Sequence, residues 1–173
     1  ALEDEIGYID EPVCVIAAES REALARARKA VVIEVEEGTP VYDIDEAVSL
    51  GRILYRSKGL GRGDAAGALA RAPHRLSGVF DIGGQEHFYL ESQAAIAYPL
   101  ENGALEIHSS TQHPTEVQHI CADLLGLKQH QVVCVVKRMG GAFGGKESQA
   151  APFAAMAALV AGRLRRAARV VRD

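Results

Sequence analysis

The sequence predicts an α+β protein in two unequal parts, and three observations carry that expectation. Residues 12 to 36 place an apolar run, Pro12 to Ala18, ahead of a polar helical stretch and a second β-branched run, Val31 to Glu36. That is the order of a β-α-β unit. Gly51 to Gly63 then holds four glycines and four basic residues with no apolar periodicity, as a linker does. Beyond it, short β-type runs at His74 to Ile82, Phe88 to Pro99, Leu105 to Ser110 and Val132 to Val136 share the chain with two apolar helical patterns.

Each element has a local reason. Ser20 offers a cap to a helix over Arg21 to Ala30, Asp43 to one over Ile44 to Leu50, and Asp64 to one through Ala72. Glu101-Asn102-Gly103 supplies a hairpin turn, because Asn-Gly accepts positive φ. Pro114 suits a first helical position, and Val117, Ile120, Cys121, Leu124 and Leu125 recur at helical spacing until Gly126. Ser148 to Ala161 is an alanine-rich, nearly all-apolar helix with Pro152 in its first turn. A helix this apolar needs cover on most sides, and the basic tail from Arg163 ends within a strand-like run, so the expectation is a piece of a larger protein.

Composition narrows the function classes. The 173 residues carry a net charge of -4, with 48% hydrophobic and 24% charged residues, which argues against a nucleic-acid or anionic-membrane partner. No apolar run approaches the roughly 20 residues that cross a bilayer, and Ala1-Leu-Glu-Asp-Glu lacks the blocks of a secretory signal, so a cytoplasmic setting is the default. Three cysteines, Cys14, Cys121 and Cys134, lie among apolar neighbours without C-x-x-C spacing and are expected to be buried free thiols.

The stretch Arg138 to Glu147, R-M-G-G-A-F-G-G-K-E, is the candidate site. It sits between a strand pattern and a helix pattern, where glycines bring the backbone close to a bound group. As spacing, Gly140-x4-Gly145-Lys146 matches the opening of a phosphate-binding loop, but Glu147 stands where a magnesium-binding hydroxyl belongs and would repel phosphate. A purely structural turn is the bland alternative. The remaining physical reading is that backbone N–H groups around Phe143 face an anionic or oxo group, with Glu147 projecting toward the same pocket and able to hydrogen-bond a heterocycle.

Three segments, Gly83-Gly-Gln-Glu-His-Phe-Tyr-Leu-Glu91, Ser109-Ser-Thr-Gln-His-Pro114 and Val136 to Glu147, resemble in order and spacing the molybdenum-binding large subunit of the xanthine dehydrogenase and aldehyde oxidase family. The resemblance implies that residues 1–50 end an α/β hammerhead-like domain. Residues 51–62 would then be a linker, and 63–173 the first mixed sheet and helices of the molybdopterin-binding domain. It implies a molybdenum-molybdopterin cofactor, hydroxylation with water-derived oxygen, and electron transfer through iron-sulfur clusters and FAD carried on other domains or subunits. Gln112 would donate its amide to a molybdenum oxo ligand and count as catalytic and metal-proximal, and Phe143 would bring its backbone N–H beside the metal. Gly141, Ala142, Phe143 and Gly144 would line the cofactor, with Ala142 standing where glycine is frequent. Glu147 matches the glutamate that contacts purine in xanthine-oxidising members, so the implied substrate is a purine such as hypoxanthine or xanthine. The remainder of the large subunit, the FAD and iron-sulfur partners and an oligomeric assembly are implied with it. An aldehyde-oxidising member of the family is the alternative, and so is a non-enzymatic α+β interaction module built on the uncovered apolar helix.

Neighbouring residues carry blander expectations. Gln85, Glu86 and Glu91 are expected to shape the scaffold, and Phe88 and Tyr89 to be core. His87, His113 and His119 lack metal-ligand spacing. Lys146 is open between holding an anionic phosphate and a surface ion pair. The family's general-base glutamate and its substrate arginine match nothing in these residues, so the chain alone is expected to be inactive.

Overall fold

The computed structural model describes residues 6–172, and they divide into two compact units: Val31–Gly83, and the residues up to Ala30 together with those from Gly84 onward. The Val31–Gly83 unit contains two short helices, α2 (Ile44–Ser49) and α3 (Ala65–Arg71). Both start as their caps dictate: Asp43 accepts from the Glu46 N–H at 2.9 Å and Asp64 from the Gly67 N–H at 2.8 Å. The two strands expected here do not form. Val31 to Glu36 and His74 to Ile82 are irregular, and side chains such as Val32 and Leu76 stay exposed. A β-branched run becomes a strand only where a neighbour takes up its backbone ladder, and neither run has one.

In the other unit α1 (Arg21–Ala30) forms with Ser20 Oγ accepting from the Ala23 N–H at 3.1 Å. Pro12 to Ala18 forms no strand, so the expected β-α-β unit is absent. Cys14 on that segment is exposed, which corrects the expectation that it is buried; Cys121 is buried and Cys134 half-buried.

The core is a four-stranded mixed sheet, ordered β3-β2-β1-β4, from β1 (Ala94–Pro99), β2 (Leu105–Ser109), β3 (Val132–Val135) and β4 (Ala168–Val171). The β1–β2 pair is antiparallel, with Ala97 opposite Ile107, around a turn where Asn102 takes φ +57°. After β2 the chain crosses through α4 (Pro114–Leu125) to the parallel strand β3, and α5 (Ala150–Leu164) leads to β4, antiparallel to β1. Phe88 to Ser92 stays outside the sheet, shortening the expected strand, since Phe88 sits at φ +50° and cannot continue a ladder.

Alternation decides which sheet face is covered. Leu105 and Ile107 of β2, with Ala95 and Ala97 of β1, point to Val117, Cys121 and Ala122 of α4 and to Ala151, Ala154, Ala157, Ala158 and Ala161 of α5. Full burial of each larger aliphatic here contributes about 1.5–3 kcal/mol. The alanines let the helix axis come close to the sheet, so α5 is covered by this chain's own β1, β2, β4 and α4. Its other side, with Phe153, Met156, Leu159 and Val160, stays only half-buried, so the cover within these residues is partial. Gly126 ends α4 in the left-handed conformation at φ +65°, and Arg165 ends α5 the same way at φ +53°.

Candidate functional site

The glycine loop leaves β3 and returns to α5, and its glycines have two separate jobs. Gly140, Gly141 and Gly144 take φ of +69°, +87° and +94°, which L-residues with a Cβ rarely adopt. Gly145 lacks positive φ but tolerates no side chain: a Cβ there would lie 2.7 Å from Tyr89 Cε1 and 2.8 Å from His87 Cγ. Gly140 is doubly constrained, because its Cβ would come within 2.4 Å of Glu91 Cβ. The segment carrying His87, Tyr89 and Glu91 is therefore the floor on which the loop rests, whereas Phe88, expected in the core, is exposed and Tyr89 half-buried. Phe143 itself sits at φ +53° with its ring 77% exposed.

Gln112 lies between β2 and α4 and closes the loop from its other side. Its backbone N–H donates to Lys146 O at 2.9 Å, and its side-chain Oε1 accepts from the Gly144 N–H at 3.1 Å and the Lys146 N–H at 3.3 Å. The carboxamide oxygen is thus spent on the loop, and the exposed Nε2 end is left to donate. Thr111, buried beside it, donates to Lys146 O at 3.3 Å and accepts from the His113 N–H at 2.9 Å. His113 then caps α4, its Nδ1 accepting from the Glu116 N–H at 2.9 Å.

Two side chains that the sequence reading did not assign hold this arrangement. Lys146 is fully buried; it neither faces an anionic ligand nor makes a surface ion pair. Its ammonium donates to Glu91 O at 2.8 Å and to Met139 O, and lies 4.6 Å above the Tyr89 ring centre. Burial pushes this amine below its ordinary range, and the Glu91 carboxylate pulls it back up. Gln93, also buried, donates to Tyr89 Oη at 3.0 Å and to Gly145 O at 3.4 Å. Burial of a lysine directly after a glycine pair has no signature in composition or spacing, so the sequence leaves the role of Lys146 open and does not mark Gln93.

Ala142 is buried and can offer a ligand only its backbone, whereas Gly141, Phe143, Gly144 and Glu147 are exposed. The Phe143 N–H has no acceptor among the described residues. The wall thus presents neutral donors, the Gln112 carboxamide and backbone N–H groups, on the exposed side of the loop. Such donors suit an oxygen-bearing group whose negative charge they can meet without protonating it. Among the described residues, no three His, Cys, Asp or Glu side chains gather as ligands for a bare metal ion.

A family model described as the molybdopterin cofactor-binding domain matches residues 51–173. The chain belongs to this family. Its cofactor is molybdenum-molybdopterin, and the neutral donor wall fits an oxo-bearing centre of that kind. Xanthine dehydrogenase of Emericella nidulans is 39% identical over 96% of this chain, and that of Drosophila subobscura is 41% identical over 98%. The chain spans only 12% and 13% of the lengths of those relatives. Among solved structures, quinoline 2-oxidoreductase from Pseudomonas putida 86 superposes with a TM-score of 0.71 at 25% identity, covering 90% of this chain and 21% of that one. The α+β reading of a molybdopterin-binding domain therefore holds at the level of the fold.

Proposed function

We propose that this molybdopterin-binding domain serves a molybdenum hydroxylase of the xanthine dehydrogenase type, acting on purines such as hypoxanthine and xanthine, and forms one wall of its active site. One observation carries the reading. Gln112 is hydrogen-bonded onto the glycine loop at Gly144, 3.1 Å away, so the neutral donors and the exposed Glu147 belong to one continuous wall.

When bound, molybdenum-molybdopterin supplies the two-electron oxidation of the substrate carbon, with oxygen derived from water. The chain's residues hold and orient. Gln112 directs its Nε2 donors outward because Oε1 is engaged by the loop, and Phe143 offers its N–H. Removing one preorganised donor of this kind typically costs about 10²- to 10³-fold in rate. Gly141, Ala142 and Gly144 bring backbone against the cofactor, and Glu147 hydrogen-bonds a ring nitrogen of the purine. Support for a nitrogen heterocycle comes from the glutamate at position 147 and from a structural neighbour that acts on quinoline. The remainder of the large subunit, iron-sulfur clusters and FAD would complete electron transfer. The chain by itself would be inactive, since a lone wall would lack the groups that the remainder of the large subunit supplies.

Glu147→Ala in the full-length protein tests the substrate assignment. Purine oxidation should fall by at least 10²-fold while aldehyde oxidation falls by less than about tenfold. Equal loss on both substrates would remove Glu147 as the purine contact and favour the aldehyde-oxidising alternative.

A further inference from the structure

The fully buried lysine beneath the loop has no counterpart in the reading above, which rests on exposed donors. Its side chain doubles back from the end of the loop to Met139 O at the start of the loop and to Glu91 O on the floor. Its own backbone is gripped on both sides by Gln112, N–H to Oε1 at 3.3 Å and C=O from the Gln112 N–H at 2.9 Å. One residue therefore joins the loop's two ends, the floor segment and the Gln112 turn. The loop between holds four residues at positive φ, Gly140, Gly141, Phe143 and Gly144, and would not keep them in register by propensity alone. Gly145, immediately before the lysine, must stay pressed against Tyr89 and His87 for the ammonium to reach its carbonyls.

We infer that Lys146 is a positioning residue for the molybdenum site: its buried ammonium clamps the loop so that Oε1 of Gln112 stays on Gly144 and Lys146 and the amide donors of Gln112 face the cofactor. This rests on the cofactor reading of the wall, but the clamp itself is a property of the polypeptide. A donor-bearing group is required, since it bonds two carbonyls that a methyl or thioether would leave unbonded, and a positive charge adds attraction to the aromatic face. Arginine would keep the charge but must fit a planar fork where an ammonium now sits, so it should restore function only in part.

The test compares full-length wild type, Lys146→Met, Lys146→Arg and Tyr89→Leu. Amide hydrogen exchange on cofactor-depleted protein reads the clamp, through the N–H groups of Gly144 and residue 146. Molybdenum per protomer and the Mo(V) resonance of the reduced enzyme read its consequence. Lys146→Met should raise exchange at both amides at least tenfold, and should either lower molybdenum occupancy several-fold or shift the Mo(V) signal, with the iron-sulfur spectrum unchanged. Lys146→Arg should lie between it and wild type. Unchanged exchange in Lys146→Met would overturn the clamp, and faster exchange with unaltered occupancy and Mo(V) signal would overturn its positioning role. Should Lys146→Met not fold, Tyr89→Leu, which removes the ring beneath the ammonium together with the hydroxyl that Gln93 bonds, should speed the same two amides a few-fold, and unchanged exchange there would overturn the proposal. Wild-type protein devoid of molybdenum would instead contradict the functional reading, while the exchange data would still score the clamp.

Discussion

At the scale of single residues, the site depends on where a side chain is forbidden as much as on where one is supplied. Gly140 and Gly145 have no room for a Cβ, whereas Gly144 meets nothing closer than His87 Nε2 at 3.6 Å and is constrained by its φ of +94°. Gly145→Ala should therefore cost about 1–3 kcal/mol through overpacking against Tyr89 and His87, read as a lower urea midpoint. Gly144→Ala should cost about 1–2 kcal/mol through backbone strain alone. A Gly145→Ala protein as stable as wild type would show that the floor segment yields. The glycines and Gln112 were legible in the sequence because loop glycines and a resembling motif are local features. Lys146 and Gln93 were not, because what distinguishes them is burial, which emerges only once residues 55 positions apart, Lys146 and Glu91, are brought together.

At the scale of elements, helices were more legible than strands. Caps at Ser20, Asp43, Asp64 and His113 and the Gly126 terminator act within a turn, so α1 to α4 start where local chemistry puts them. Strands require a partner, so Pro12 to Ala18, Val31 to Glu36 and His74 to Ile82 read as strands and form none. The packing of α5 gives a sharp expectation. Ala157 is fully buried on the sheet-facing side, so Ala157→Leu should cost about 1–3 kcal/mol, whereas a substitution at the exposed Arg163 should change stability by less than about 0.5 kcal/mol. The packing of α4 on β3 fixes a pH dependence. Burial, reinforced by the neighbouring Cys134, pushes the Cys121 thiol from 9.0 up to about 12, and burial pushes Cys134 up to about 11. In the unfolded chain both ionise near their ordinary value, so their contribution is fully present below about pH 9. It is lost as pH rises toward 11 to 12. The urea midpoint should fall over that interval, and a flat profile would show that the thiols are not held protonated by the fold. Alkylation at neutral pH should label Cys14 first and leave Cys121 unmodified until the protein unfolds.

At the scale of the whole molecule, the described residues in Val31–Gly83 leave large apolar side chains such as Leu54, Leu60, Leu76 and Phe80 in water. The 173-residue chain alone should therefore bind an apolar fluorescent dye strongly. No helix among the described residues is long and apolar enough to cross a membrane. If the chain forms one wall of the site as proposed, neutral donors alone hold a cofactor poorly, so the isolated chain should retain less than about a tenth of a molybdenum atom per molecule. Stoichiometric metal in the isolated chain would contradict the one-wall assignment. The central claim is that the Gln112 amide, turned outward by the loop, faces the molybdenum centre. The direct measurement is the Mo(V) resonance of full-length Gln112→Ala beside wild type, both reduced with purine. The account predicts a shifted signal and turnover lowered by about 10²-fold, whereas a superimposable signal at wild-type turnover would contradict it.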